Sequence, residues 1–230
     1  MAHLHRIFVF TVLATASWTA FGAGGGASMP ANSPPIQARQ PPSPEEQARS
    51  AYNAGVRSIE KADELTADAA RQTEPRKQAR LHKKAQGAYA DAAKKFAHAT
   101  GLRPGMHEAW NYLGYSQRKL GDYEAALSAY DRSLSLKPDY AQAIEYRGHA
   151  YLGLNRLAEA KAAYLSLFAA NRQLAASLLT AMQLWLTEHR GVAGVDSISY
   201  DAFAAWVSER SAIASQTAAL TRAGAASAWH

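Results

Sequence analysis

The stretch "HEAWN", residues 107–111, sets a histidine and a glutamate where a zinc-binding helix would begin. Such a helix holds its ion between two imidazoles one turn apart, with the glutamate as base. Asn111 stands where the second imidazole must be, so no metal site follows. His82, His98, His149 and His189 show no ligand spacing. No Gly-Lys-Ser/Thr loop cradles phosphate, and no Gly-x-Ser-x-Gly turn presents a nucleophile. Glu45 and Glu46 are paired acids, but at a helix start they answer the macrodipole. The absence of cysteine removes thiol nucleophiles, thiolate metal sites, disulfides and a lipid-attached cysteine. With no constellation assembled, the chain is expected to be non-catalytic, without metal or cofactor. Trp185 and Trp206 read as core.

The elements behind these residues are helical. The 230 residues are 48% hydrophobic, and after position 45 Ala, Leu, Lys, Arg, Glu and Gln dominate over Val, Ile and Thr. Residues 1–22 carry Arg6, an apolar run from Ile7 to Phe21 and then small residues, the form of a secretory signal peptide. If it is retained instead, the stretch from Ile7 to Ala23 just reaches the roughly 17 residues of a membrane span, and only then is a membrane partner expected. Residues 23–44 are rich in Gly and Pro and read as a flexible tether. Ser43, Pro44, Glu45 and Glu46 make a helix start, with the helix running to Arg71. A second begins near Pro75, with Thr73 as its cap, and closes at Gly101 in a left-handed cap ahead of Pro104. Residues 45–105 are thus expected to form an extended antiparallel hairpin.

An offset of 34 residues superposes Ala109, Tyr112, Gly114, Leu120, Ala126, Ala129 and Tyr130 on Ala143, Tyr146, Gly148, Leu154, Ala160, Ala163 and Tyr164. In the other direction Gly87, Tyr89, Ala92, Phe96 and Pro104 superpose on Gly121, Tyr123, Ala126, Tyr130 and Pro138. Trp110, Leu113, Gly114, Ala126, Tyr130 and Pro138 resemble the tetratricopeptide repeat pattern, with Gln117 where the family's first Tyr is expected. The following unit keeps Gly148, Tyr151, Ala160 and Tyr164, but has Ile144, Arg147 and Arg172 in place of Trp, Leu and Pro. The resemblance covers at most residues 76–174. It implies an all-α, right-handed superhelix of antiparallel hairpins, an α-solenoid, with two repeats over 106–174. Gly114 costs roughly 1 kcal/mol against Ala in a helix, bearable where a neighbouring helix passes closely. Residues 175–222 are expected to supply capping helices, with Ser199 starting the last and Phe203, Trp206, Val207, Ile213 and Leu220 on its inner side. Residues 223–230 are expected to fray.

In such a stack the first helix of each hairpin lines the concave side. Glu108, Asn111, Tyr115, Arg118, Gln142, Glu145, His149 and Leu152 fall there by helical spacing. A polar and aromatic lining suits a protein or peptide partner. Family members that clamp a carboxylate tail use Lys, Asn and Arg on this face, so Glu108 and Glu145 argue against a chaperone-tail receptor. A second candidate is the basic stripe Arg76, Arg80, Lys83, Lys84 and Lys94, on a helix over 76–95 that could meet an anionic polymer or surface. Nothing resembling a nucleic-acid motif accompanies it, and nucleic acid is not an expected partner. The signal places the chain in the periplasm or outside the cell.

Overall fold

The computed structural model describes residues 41–192 and 196–227; for 218 and 221–227 it describes the backbone alone. The signal segment and the tether up to residue 40 lie outside the described residues. The chain divides into Met1–Pro41 and Pro42–His230, and every helix below belongs to the second unit.

Eight helices follow one another: α1 (Pro44–Arg71), α2 (Pro75–Leu102), α3 (His107–Lys119), α4 (Tyr123–Leu136), α5 (Ala141–Gly153), α6 (Leu157–Ala170), α7 (Arg172–Glu188) and α8 (Ser197–Ser227). There is no strand among the described residues. α1 with α2, α3 with α4 and α5 with α6 pack as hairpins, and each hairpin packs on the next. The fold is a tetratricopeptide-like α-solenoid.

Local chemistry sets the helix ends. At the start of α1, Ser43 accepts from the Glu46 amide while the Glu46 carboxylate accepts from the Ser43 amide, a reciprocal cap. α2 is preceded by Glu74, not Thr73, and no side chain caps it; Pro75 at its first position lacks one of the amides that would otherwise go unpaired and has its φ pre-set for the helix. Gly101 remains helical inside α2, which ends only when Pro104 forces Arg103 toward extended backbone. Left-handed residues do appear at the two repeat turns, Gly121 with φ 85° and Asn155 with φ 57°. α8 begins at Ser197, two residues before the expected start, and stays helical through Ser227, past the point where fraying was expected. Leu220 is 74% exposed rather than turned inward.

The core runs along the stack. Phe96, Tyr130, Tyr164, Leu167, Leu178, Met182 and Phe203 are almost fully buried, each contributing roughly 1.5–3 kcal/mol of transfer free energy. Close helix approach depends on missing side chains. A Cβ on Gly114 would lie 2.7 Å from the Tyr130 ring and 3.0 Å from the Ala126 carbonyl oxygen; one on Gly148 would lie 2.6 Å from a Leu178 methyl. α7 and α8 close the C-terminal end, with Trp185 edge-on to Phe203 at 5.5 Å and the Tyr200 hydroxyl donating to the Leu186 carbonyl.

α2 is 28 residues, α3 only 13. The side chains at the C-terminal end of α3, Tyr115 and Lys119, reach Tyr89 on α2. Residues 75–88 therefore run past the end of α3 and form, with the far part of α1, a two-helix arm.

Candidate protein-binding groove

The first helices of successive hairpins approach one another, α1 to α3, α3 to α5 and α5 to α7. The second helices α2, α4 and α6 make no comparable contact. The stack therefore curves toward the first helices, and their free faces form the inside of the curve.

Tyrosine furnishes that face. Tyr52 of α1 and Tyr112 of α3 have ring centres 6.0 Å apart, both against Phe96. Tyr115 lies 6.2 Å from Tyr89 and 5.0 Å from Tyr146. The Asp63 carboxylate of α1 accepts from the hydroxyls of Tyr89 at 2.5 Å and Tyr115 at 2.9 Å, tying three helices together. Burial first, then the Asp63 charge, pushes the Tyr115 phenol far above the ordinary tyrosine range, so it remains a donor. Gln142 accepts from the Tyr140 hydroxyl and donates to that of Tyr146. Glu108, half-exposed, pairs with the His107 ring.

Two cations close the row. Arg118 lies over Tyr115 and Tyr146, 5.3 and 5.6 Å from their centres, and Lys119 over Tyr89 and Tyr115 at 5.4 and 5.7 Å. Such contacts hold a cation at about 0.5–2 kcal/mol each.

Three residues expected to line the groove do not. Asn111 is 0% exposed and its amide has no hydrogen-bond partner among the described residues; Glu145 is 1% exposed and Leu152 is buried. Helical spacing assigns a face but not the neighbour that covers it. α7 packs directly on α5, where Ser177 donates to Glu145 at 2.5 Å, and Leu152 joins the core under α7 and α8. Glu108, Tyr115, Arg118, Gln142 and His149 keep partial exposure. Ser177, Asp63, Tyr52 and Tyr140 belong to the same neighbourhood and lie outside the repeat pattern; Tyr52 is the one aromatic of α1, so no spacing could flag it. Arg76, Arg80, Lys83, Lys84 and Lys94 are all exposed; the first four ride on the arm and Lys94 stands apart from them, further along α2.

His149 sits 3.6 Å from Glu145. Burial holds its imidazole below the usual histidine range; Glu145 opposes this, and Arg118 and Lys119 reinforce it. The unfolded chain takes up the proton first, near pH 6.5, so stability falls as pH drops through that value and levels off below the folded pKa. Thermal unfolding should give a lower melting temperature at pH 5.5 than at pH 7.5, and His149→Gln should remove most of the difference. An unchanged pH slope in the variant would assign the effect elsewhere.

On the outer side, Leu134, Pro138, Ile144, Arg147 and Tyr151 line a cleft of about 370 Å³. The equivalent place one repeat earlier is occupied by Trp110, whose indole N–H donates to the Pro104 carbonyl. Ile144 and Arg147, standing where that repeat has Trp110 and Leu113, leave the space open.

Fold and groove together define an all-helical repeat scaffold, with no group of three or more His, Asp or Glu residues able to hold a metal among the described residues. Residues 107–140, the α3–α4 hairpin, match the tetratricopeptide repeat family model. Among solved structures, the chain is similar to the first TPR of Spaghetti (RPAP3) bound to the HSP90 peptide SRMEEVD, at 21% identity over 55% of this chain and 94% of that one, with a TM-score of 0.39. It is also similar to the MamA RS-1 ArsTM double mutant, at 20% identity over 71% of this chain and 94% of that one, with a TM-score of 0.36.

Proposed function

We propose that the chain is an exported scaffold that engages another protein, through a peptide segment or a helix, in its concave groove. What carries this reading is the partly exposed row of Tyr52, Tyr112, Tyr115, Tyr140, Gln142 and Glu108 on the inside of the curve. Rigid aromatic rings with polar tips contribute contact area at little entropic cost. Export rests on Arg6, the apolar run behind it and the small residues that follow; the mature chain would start near Ala23.

A photo-crosslinking residue placed at Glu108 or Gln142 should capture the same partner from the native envelope. The same residue at Leu165, 48% exposed on α6, should capture nothing comparable. Capture from Leu165 alone would move the binding face to the outside. The arm, on which Arg76, Arg80, Lys83 and Lys84 are exposed, supports a rival reading as a binder of anionic polymer or membrane surface. That attachment would collapse between 50 and 300 mM salt at roughly Debye lengths of 14 and 6 Å, whereas groove capture would persist.

A further inference from the structure

We infer that Tyr52, Tyr112 and Glu108 form a cation subsite near the N-terminal end of α3, and that the partner segment places a Lys or Arg side chain there. This rests on the groove reading above and adds the chemistry of its ligand.

The rings come from two helices and are held from behind by a third. Phe96 of α2, fully buried, has Tyr112 of α3 stacked on it at 5.5 Å and Tyr52 of α1 edge-on at 5.7 Å. Tyr52 and Tyr112 stand 6.0 Å apart, tilted 59° to each other, and each keeps part of its surface exposed. The rings are thus pre-set, and a ligand need not order them. The other groove tyrosines already carry cations: Arg118 or Lys119 lies over Tyr89, Tyr115 and Tyr146, and Lys137 over Tyr140 at 5.4 Å. Tyr52 and Tyr112 carry none, and neither hydroxyl has a hydrogen-bond partner among the described residues.

Glu108, in the first turn of α3, supplies the charge. One of its carboxylate oxygens meets the His107 ring at 2.6 Å, and the side chain stays half-exposed. Burial first, then neighbouring phenols and acids, push the Tyr52, Tyr112 and Tyr140 phenols above the ordinary tyrosine range. Glu108 acts on all three, Asp63 and Glu60 act on Tyr112 as well, and no cation opposes them at Tyr52 or Tyr112. Asp63 is engaged by two tyrosine hydroxyls, and Arg103 pairs with Glu45. Arg49 and Arg57 of α1 line a separate cleft with Glu46. Open ring surface beside a carboxylate is what an ammonium or guanidinium seeks, and charge complementarity selects a basic segment over an acidic one.

The test uses the full chain and two fluorescein-labelled octapeptides, (Lys-Ala)4 and (Gln-Ala)4, read by anisotropy at 150 mM salt. The basic peptide should bind about fivefold more tightly than the neutral one, or better. Tyr52→Leu and Glu108→Gln should each remove most of that preference. Tyr52→Phe, which keeps the ring, should retain it, and so should Glu188→Gln, which removes an exposed acid at the end of α7. Each variant's melting temperature is recorded as a check on folding; Glu108→Gln changes a half-exposed side chain and decides the matter if Tyr52→Leu does not fold. Equal binding of the two peptides, no binding of either, or a preference that survives Glu108→Gln would overturn the subsite. So would a preference lost with Glu108→Gln but kept by a folded Tyr52→Leu, which would assign the attraction to the acid alone. Such outcomes leave partner capture from Gln142 intact, and failure of that capture leaves the peptide result intact, so the two readings fail separately.

Discussion

Gly114→Trp should lower the melting temperature by about 10 °C, taking roughly 3 kcal/mol from overpacking and roughly 2–4 °C per kcal/mol for a chain of this size. Even alanine should be harmful there. Its gain in helix propensity is about 1 kcal/mol, but its Cβ would meet the Ala126 carbonyl oxygen at 3.0 Å as well as the Tyr130 ring. A backbone oxygen cannot rotate away, so the α3–α4 spacing itself must open. Gly148→Ala meets only the ends of Leu178 and the Ala163 methyl, and Leu178 can change rotamer, so that variant should lie near wild type. Gly87 has nothing within 4 Å, and Gly87→Ala should stabilise by about 0.4–1 kcal/mol. Urea or thermal unfolding of the three alanine variants gives the order. A Gly114→Ala protein as stable as the parent would mean that α3 and α4 do not nest at this position.

Asp63→Ala should cost about 2–3 kcal/mol, because it leaves the hydroxyls of Tyr89 and Tyr115 without their acceptor and a buried unsatisfied donor costs about 1–3 kcal/mol. Tyr89 has an alternative contact, the Thr66 hydroxyl at 3.4 Å, too long to replace what is lost. Adding Tyr115→Phe to Asp63→Ala removes one stranded donor and should recover part of the loss, a coupling that a double-mutant cycle reads directly. Asp63→Asn keeps a neutral acceptor and should fall between. If Asp63→Ala unfolds with the parental midpoint, the three-helix tie carries no stability and the groove wall formed by α1 is held by apolar packing alone.

These two sites differ in how far the amino-acid order announces them. Gly114 is legible because a glycine inside a helix former's composition is a cost with few explanations, and its recurrence at Gly148 supplies the register. Gly55, whose absent side chain admits the Phe96 ring, and Gly153, which admits Tyr123, carry the same signature without a repeat partner to flag them. Asp63 gives no signal at all. Its partners are 26 and 52 residues away, and α1 lies outside the repeat register. The burial of Asn111 and Glu145 was hidden for a related reason: periodicity assigns each to a face, while what covers it is set in space, the adjoining helices of the stack for Asn111 on α3 and α7, which has no repeat pattern, for Glu145 on α5. The fold class was readable from propensity and offset; the lining of the groove needed the third dimension.

The arm shows what decides helix length in this chain. At residues 121–123 a left-handed glycine is followed by Asp122, whose carboxylate accepts from the Ala125 amide and opens α4. At the matching place in α2, Gly87 has the same conformational freedom but is followed by Ala88, which has nothing to accept with and favours the helix it is already in. No corner forms there, and α2 runs through as one continuous rod. A segment that matches only half a repeat is thus a full-length lever in space, and its reach of roughly 20 Å past α3, at about 1.5 Å per residue, follows from the missing punctuation at Gly87 and Ala88.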